Sequence, residues 1–177
     1  DAAWAFTVAA LLWVYLGIQK GQVTQDGLTG LNNRRRLDQY MWELDERSGE
    51  RETCCYLLMD VNKFKKVNDT YGHVTGDEVL RLVAEQLKRT FGNMQAFLAR
   101  YGGDEFVVIV KGKTQDEMDV IIHQTQENVN AIAWGADTPW QLSISIGCAM
   151  RGEQGKQKSH ELLALADERM YRQKKGI

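Results

Sequence analysis

At 177 residues, with 44% apolar and 26% charged content, the chain is long enough for one globular domain with its own core. A net charge of −2 gives no overall pull toward nucleic acid or an anionic membrane, and no nucleic-acid partner is expected. Three histidines without a cluster, and three cysteines without a Cys-x-x-Cys pair, argue against zinc and a disulfide framework, so the cysteines read as reduced packing residues.

The run Ala2–Ile18 is apolar apart from Thr7 and carries Trp4, Trp13 and Tyr15. As a helix it spans roughly 25 Å, slightly short of a ~30 Å hydrocarbon core. Three readings stay open. It is the end of a transmembrane helix with Lys20, Arg34, Arg35 and Arg36 on the cytoplasmic side, or a buried or dimerising helix, or a signal peptide lacking a visible basic leader or cleavage site. Apolar residues around the whole circumference favour the first two. The run starts at the first residue, so its full length is open. The expected division is 1–20 for this helix and 21–177 for the globular domain.

Lys20–Gln25 reads as a connector. Asp26-Gly27-Leu28-Thr29-Gly30-Leu31-Asn32-Asn33 reads as a structured turn. A helix follows over about Arg35–Arg47, with Leu37, Tyr40, Met41 and Leu44 on one face. After a polar loop at Ser48–Thr53, the apolar run Cys54–Met59 predicts a buried central strand, its two cysteines on opposite faces. Asp60 ends that strand, where α/β sheets place ligand chemistry; taken alone it reads equally well as a turn residue. Val61–His73 is a short helical turn and a loop. Gly76-Asp77-Glu78 opens a helix to about Phe91, with its acidic residues in the first turn, where the helix dipole favours them.

Ala96–Ala99 and Val107–Val110 flank Arg100-Tyr101-Gly102-Gly103-Asp104-Glu105-Phe106, the pattern of a β-hairpin. Gly102 and Gly103 permit positive φ and close approach of a ligand to the backbone. Asp104 and Glu105 at the tip suit a divalent metal beside a phosphate chain, although a lone hairpin tip of this kind is usually an ordinary polar turn. A helix is predicted from Thr114 to about Trp134, broken at Gly135–Pro139. Gln141–Cys148 alternates small polar with apolar residues, a strand with one buried face. After a loop at Arg151–Lys158, Ser159 caps a last helix that ends near Lys174 and Lys175. Strand, helix, hairpin, helix, strand is the split βαβ order of an α+β, ferredoxin-like or polymerase-palm sheet with flanking helices. There is no Walker A motif and no dinucleotide fingerprint.

Five segments then stand in a shared order: DGLTGLNNRR at 26–35, DVNKFKKVNDTYGHVTGDEVL at 60–80, RYGGDEF at 100–106, SISIG at 143–147 and ADERMYRQK at 166–174. Together they resemble the GGDEF family of diguanylate cyclases, over about Asp26–Lys175. The resemblance implies a fold similar to class III nucleotidyl cyclases and condensation of two GTP molecules to cyclic di-GMP and pyrophosphate. It implies a homodimer meeting face to face, each subunit holding one GTP. The apolar Ala2–Ile18 helix would tie the domain to a membrane or to its dimer partner, which places the domain on the cytoplasmic face of a bacterial inner membrane in the first case. Asp60, Asp104 and Glu105 take the catalytic positions. Asp60, Asp104 and the Val61 carbonyl take the metal positions for Mg2+ or Mn2+. Phe64, Lys65 and Lys174 match positions at the phosphates, Gly102 and Gly103 lie beneath the nucleotide, and Asn68 and Asp77 match the guanine-reading positions. A carboxylate accepts from guanine N1–H and the 2-amino group, which adenine does not offer. Alone, Asp77 reads as a helix N-terminal charge.

Three departures stand out. The RxxD product-inhibition motif of many relatives falls on Asn93 and Ala96, so inhibition through that site is not expected. The second Asp of the family's DxDxFK motif is Asn62, one negative charge fewer beside the metal. The chain ends at Lys175-Gly176-Ile177, leaving a late phosphate-contacting arginine unaccounted for. The alternative function is a catalytically inactive GTP-binding regulatory module, against which the intact Asp60, Gly102, Gly103, Asp104 and Glu105 speak. A domain that only dimerises, without nucleotide, is a third.

Overall fold

The computed structural model describes residues 2–21, 24–47, 53–135, 141–151 and 157–176, with side chains from Trp4 to Trp13 in the first of these segments. The elements are α1 (Ala2–Gly21), α2 (Arg34–Glu46), β1 (Cys54–Val61), α3 (Phe64–Tyr71), α4 (His73–Phe91), β2 (Ala96–Arg100), β3 (Glu105–Lys111), α5 (Gln115–Asn130), β4 (Ile144–Met150) and α6 (Ser159–Lys175). The polar loop and breaks read at Ser48–Thr53, Gly135–Pro139 and Arg151–Lys158 fall largely outside the described residues.

The four strands form one sheet in the order β2-β3-β1-β4, antiparallel throughout. β1 is central and buried along its whole length. Side-chain alternation divides the core between the two faces of the sheet. Leu57, Met59, Phe106 and Val108 pack with Val79, Val83, Leu87, Met118 and Val129 from α4 and α5. Tyr56, Leu58, Val107 and Ile109 pack with Leu37, Met41, Leu162, Ala166 and Met170 from α2 and α6. Cys55 joins the first cluster and Cys54 the second, as adjacent strand residues must. The α+β, palm-like arrangement expected from the element order is the one observed.

Several local expectations differ. Val61–His73 contains an eight-residue helix, α3, and α4 starts at His73 rather than Gly76. Gly72, at φ 84 and ψ 163, ends one helix and begins the next, a reversal that a residue with a Cβ resists. Asp77 and Glu78 therefore lie beyond the first turn of α4, which holds no acidic residue, so the dipole does not account for Asp77. Ser159 is the first helical residue of α6 and not its cap. Its hydroxyl is buried among the Tyr56 hydroxyl at 2.8 Å, Asp45 Oδ1 at 2.7 Å and Arg151 Nη2 at 2.8 Å. Burial pushes the Tyr56 phenol up to about 12.

β4 is buried on both faces. Its small residues Ser145, Gly147 and Ala149 face α6 rather than solvent. The outer edge of β4 is closed by side chains: Gln126 Nε2 donates to Ile144 O at 3.2 Å, Gln173 Oε1 accepts from Ile146 N at 2.6 Å, and Arg169 Nη1 donates to Cys148 O at 2.6 Å. Covering an edge in this way removes a template for strand addition.

α1 continues through Gly21, so Lys20 belongs to the helix rather than to a connector. Trp4, Phe6, Leu11, Leu12 and Trp13 on it are exposed. Among the described residues no helix is long and apolar enough to cross a membrane, so the membrane anchor read from this run finds no support. Arg34 and Arg36 serve the domain instead: Arg34 stacks over Tyr101 at 4.5 Å, and Arg36 pairs with Glu43 at 3.3 Å.

Candidate functional site

From Cys55 to Asp60 each position of β1 has a partner on both sides, and Asp60 sits near the strand's end, 8% exposed. In register, Asp60 faces Glu105 across β3 and Ser145 across β4. The hairpin turn closes with Tyr101 N donating to Glu105 O at 2.8 Å, and Val61 N reaches Asp104 O at 3.2 Å. The ends of β1 and β3 are thereby tied together, and the sheet gathers Asp60, Asp104 and Glu105 at one end. Lys174, from the last turn of α6, sets its Nζ 2.6 Å from Asp60 Oδ1.

The hairpin tip is held from behind by a clamp the sequence reading did not find. Arg100 donates through Nε and Nη2 to Gly103 O at 3.2 and 2.7 Å, and through Nη1 to both oxygens of Asp26 at 3.2 Å. Asp26 also accepts from Thr29 N at 2.9 Å and Thr29 Oγ1 at 2.7 Å. Burial pushes the Asp26 carboxyl up, but the Thr29 hydrogen bonds and Arg100 outweigh it and hold the group below its ordinary range. The signal was legible in Asp26-x-x-Thr29, where an Asp side chain bonds its own chain three residues on. Asn32 adds to the support: its N and Nδ2 donate to Leu98 O, and its carbonyl accepts from Arg100 N at 2.8 Å.

The two hairpin glycines act through space and not through backbone sign. Neither Gly102 nor Gly103 is among the residues with positive φ, contrary to expectation. At Gly102 a Cβ would stand 2.7 Å from Glu105 Oε2, so the missing side chain makes room for that carboxylate. At Gly103 a Cβ would meet nothing within 4 Å, which leaves the backbone open to a ligand.

Phe64, Asn68 and Gly76 meet where α3 packs on α4. A Cβ on Gly76 would lie 1.9 Å from Asn68 Oδ1 and 3.3 Å from Phe64 Cζ, so glycine is required there for Asn68 to approach. Asp77 follows, exposed, and among the described residues no hydrogen bond or ion pair holds it. Lys63, at the start of α3, adopts a left-handed φ of 58, a conformation that costs a non-glycine residue and clusters at ligand sites. Lys65 is exposed on the first turn of α3.

The Asn62 amide is held by two serines. Its Nδ2 donates to Ser143 Oγ at 3.0 Å and its Oδ1 accepts from Ser145 Oγ at 2.8 Å. Both ends of the amide are engaged, one by Ser143 just before β4 and one by Ser145 on it, so Asn62 fastens the β1 exit to the start of β4, a role not legible when it is counted as a lost metal carboxylate.

A family profile described as Diguanylate cyclase, GGDEF domain, matches residues 23–176. The chain belongs to the GGDEF-domain diguanylate cyclase family. The GGDEF domain is 38% identical over 156 residues to Probable diguanylate cyclase DgcI of Escherichia coli (strain K12), covering 85% of this chain and 31% of that protein. It is 34% identical over 161 residues to Diguanylate cyclase DosC of the same strain, covering 87% of this chain and 34% of that protein. The chain thus spans about a third of the length of these curated relatives. Among solved structures, the coiled coil and GGDEF domain of DgcB from Caulobacter crescentus, in complex with c-di-GMP, aligns with a TM-score of 0.77 at 28% identity, covering 99% of this chain and 94% of that one. These neighbours share the palm-like fold read above.

At the acidic end of the GGDEF domain, Lys174 and Arg100 do not cancel the burial and mutual repulsion of the carboxylates. Burial and then the Asp60 charge raise the Asp104 carboxyl above its ordinary value. Burial, then Asp60, Asp104 and Asp167, raise Glu105. Among the described residues no three His, Cys, Asp or Glu side chains gather as a metal cluster. A pair of carboxylates with a backbone carbonyl suits a hard divalent ion that retains waters, of the magnesium or manganese kind. We propose that Asp60, Asp104 and the Val61 carbonyl would hold such an ion.

The raised Glu105 value has a consequence for stability. A carboxyl whose folded value lies above its unfolded value contributes stability that is fully present below the unfolded value and is lost as pH rises through the folded one. Glu105→Gln removes that loss. In metal-free buffer the variant is expected to melt above the parent at pH 7, and the gap is expected to close near pH 4. Melting curves at the two pH values check it; an equal gap at both overturns the electrostatic account.

Proposed function

We propose that this GGDEF domain condenses two GTP molecules to cyclic di-GMP, one GTP on each of two copies that meet face to face. The observation that supports this most is the gathering of Asp60, Asp104 and Glu105 at adjacent strand ends beside an open Gly103 backbone. The solved relative DgcB was crystallised with c-di-GMP, which agrees with that product.

In this reading GTP lies over Gly102 and Gly103. The amides at the start of α3, with Phe64 and Lys65, take the terminal phosphates, as helix N-termini do. Lys174 neutralises Asp60 in the structure, and its long, half-exposed stem lets the ammonium turn to the triphosphate when substrate arrives. A bound divalent ion supplies charge neutralisation at the phosphates. Asp104 accepts the proton of the 3'-hydroxyl that attacks the α-phosphate held by the other copy, and alignment of the two half-sites supplies the rest. The exposed apolar face of α1 offers a surface along which two copies associate and bring the half-sites together.

The test is direct. The purified chain with GTP and magnesium is expected to form cyclic di-GMP, at a rate per molecule that rises with protein concentration. Nucleotide binding without product, at high protein concentration, would instead support the inactive regulatory module.

Base selection is assigned to Asn68 and Asp77. Asp77→Ser is expected to lower the preference for GTP over ATP by about 10-fold or more, since a buried polar group of the base loses its partner. Competition binding with the two nucleotides reads this, and unchanged selectivity sinks the assignment. Product inhibition is assigned no site at Asn93 and Ala96. Calorimetry with cyclic di-GMP should show no tight site there, and a submicromolar one abolished by changes at Asn93 contradicts the proposal.

A further inference from the structure

The strands that build the site also bring two thiols together. Cys55 on β1 and Cys148 on β4 place their sulfurs 2.8 Å apart in the core beneath α4 and α5. The register explains the meeting. Cys55 faces Met150 and Leu57 faces Cys148, so the two cysteines are diagonal neighbours on one face of an antiparallel pair. Closing that gap to an S–S bond of about 2.05 Å needs a shift of less than about 1 Å. The third cysteine, Cys54, sits on the opposite face of β1 in the other cluster, where neither of the first two can reach it. None of the three is in a disulfide in the structure.

We infer that Cys55 and Cys148 are an oxidisable pair that forms a disulfide across β1 and β4 when the domain meets a peroxide. Cys148 is the entry point, because it lies on the edge strand and is 9% exposed against 1% for Cys55. Its thiolate attacks one peroxide oxygen, the O–O bond breaks, and one water leaves once the expelled hydroxide is protonated. The Cys55 thiolate then attacks the resulting sulfenic sulfur; the S–S bond forms, the S–O bond breaks and a second water leaves. Two thiols lose two electrons and two protons, and one peroxide is reduced to two waters.

The bond would close a span of 93 residues and staple the strand that carries Asp60 to the strand that holds Asn62. It acts on the fold beside the acidic site and touches none of its residues. It therefore stands or fails apart from the catalytic reading.

The experiment counts thiols in the full chain. The chain is treated with hydrogen peroxide, denatured, alkylated with iodoacetamide and weighed, and its non-reduced peptides are mapped. A second sample is unfolded, reduced and refolded in a glutathione redox buffer, so that access of the oxidant to the core does not limit the result. The reduced chain takes three alkyl groups, one per cysteine. After either treatment the expected chain takes one, on Cys54, and yields a peptide pair joining Cys55 to Cys148. It melts at a higher temperature than the reduced chain, and the rise disappears in Cys148→Ala. Cys54→Ala leaves the bridge in place. Three alkyl groups after either treatment, or a bridge through Cys54, overturn the inference.

Discussion

Replacing Asp104 by alanine is expected to leave the domain folded and to lower cyclic di-GMP formation by about 10²–10⁴-fold, the usual contribution of a positioned proton acceptor. Asp104 lies in the turn just before β3, and its backbone carbonyl, not its side chain, accepts the bond from Val61 N at 3.2 Å. Alanine keeps that bond. The side chain is held where burial and Asp60 raise its carboxyl, so removing it relieves repulsion in the metal-free fold. The melting temperature should therefore stay level or rise while activity falls. That combination separates a role in the chemistry from a role in folding. Product formation by chromatography, with a melt of the same sample, decides it. A variant that loses stability in step with activity, or keeps near-parental turnover, removes Asp104 from the reaction.

Gly147→Ala should produce the largest loss of stability, about 3 kcal/mol and at the upper end of what overpacking usually costs. A Cβ at this position would stand 1.8 Å from Ala166 O and 2.4 Å from Met170 N. Both atoms are backbone of α6, so no rotamer change relieves the clash; the helix must lift from the sheet. Lifting it moves Lys174 away from Asp60, pulls Gln173 and Arg169 from the edge of β4, and disturbs the Ser159 network. Urea denaturation gives the stability change. Gly103→Ala is the contrast, because a Cβ there meets nothing within 4 Å. It should shift stability by no more than about 0.5 kcal/mol, as an unobstructed surface change does, yet weaken nucleotide binding. If Gly147→Ala is as stable as the parent, the close packing of α6 on β4 is wrong.

Much of the candidate site's placement was legible before any tertiary contact was known. Asp60 was readable because the apolar run Cys54–Met59 reads as a buried strand, and a carboxylate closing such a run stands at a sheet end. Asp104 and Glu105 were readable because two β-type runs around Tyr-Gly-Gly make a hairpin. What could not be read was the use of the small residues. Gly102 and Gly103 look like a turn that needs positive φ, yet they serve by making room, one for Glu105 and one for open approach. Asn62 looks like a weakened metal ligand, yet its amide is spent on Ser143 and Ser145, which lie more than 80 residues away along the chain. Asp77 looks like a charge at a helix start, yet Gly72 starts that helix one turn earlier.

The sequence by itself determined most of the elements, the carboxylates at the strand ends and the family, because these depend on residue type and on spacing along the chain. The tertiary structure alone decided what each face meets and at what distance. A period of two says that Ser145, Gly147 and Ala149 share a face, but not that a helix backbone lies against it. Nor does it say that Cys55 and Cys148 touch, since that follows from the antiparallel register of β1 with β4. Register and helix placement are set by long-range packing across the sheet, and no local pattern in the chain encodes them.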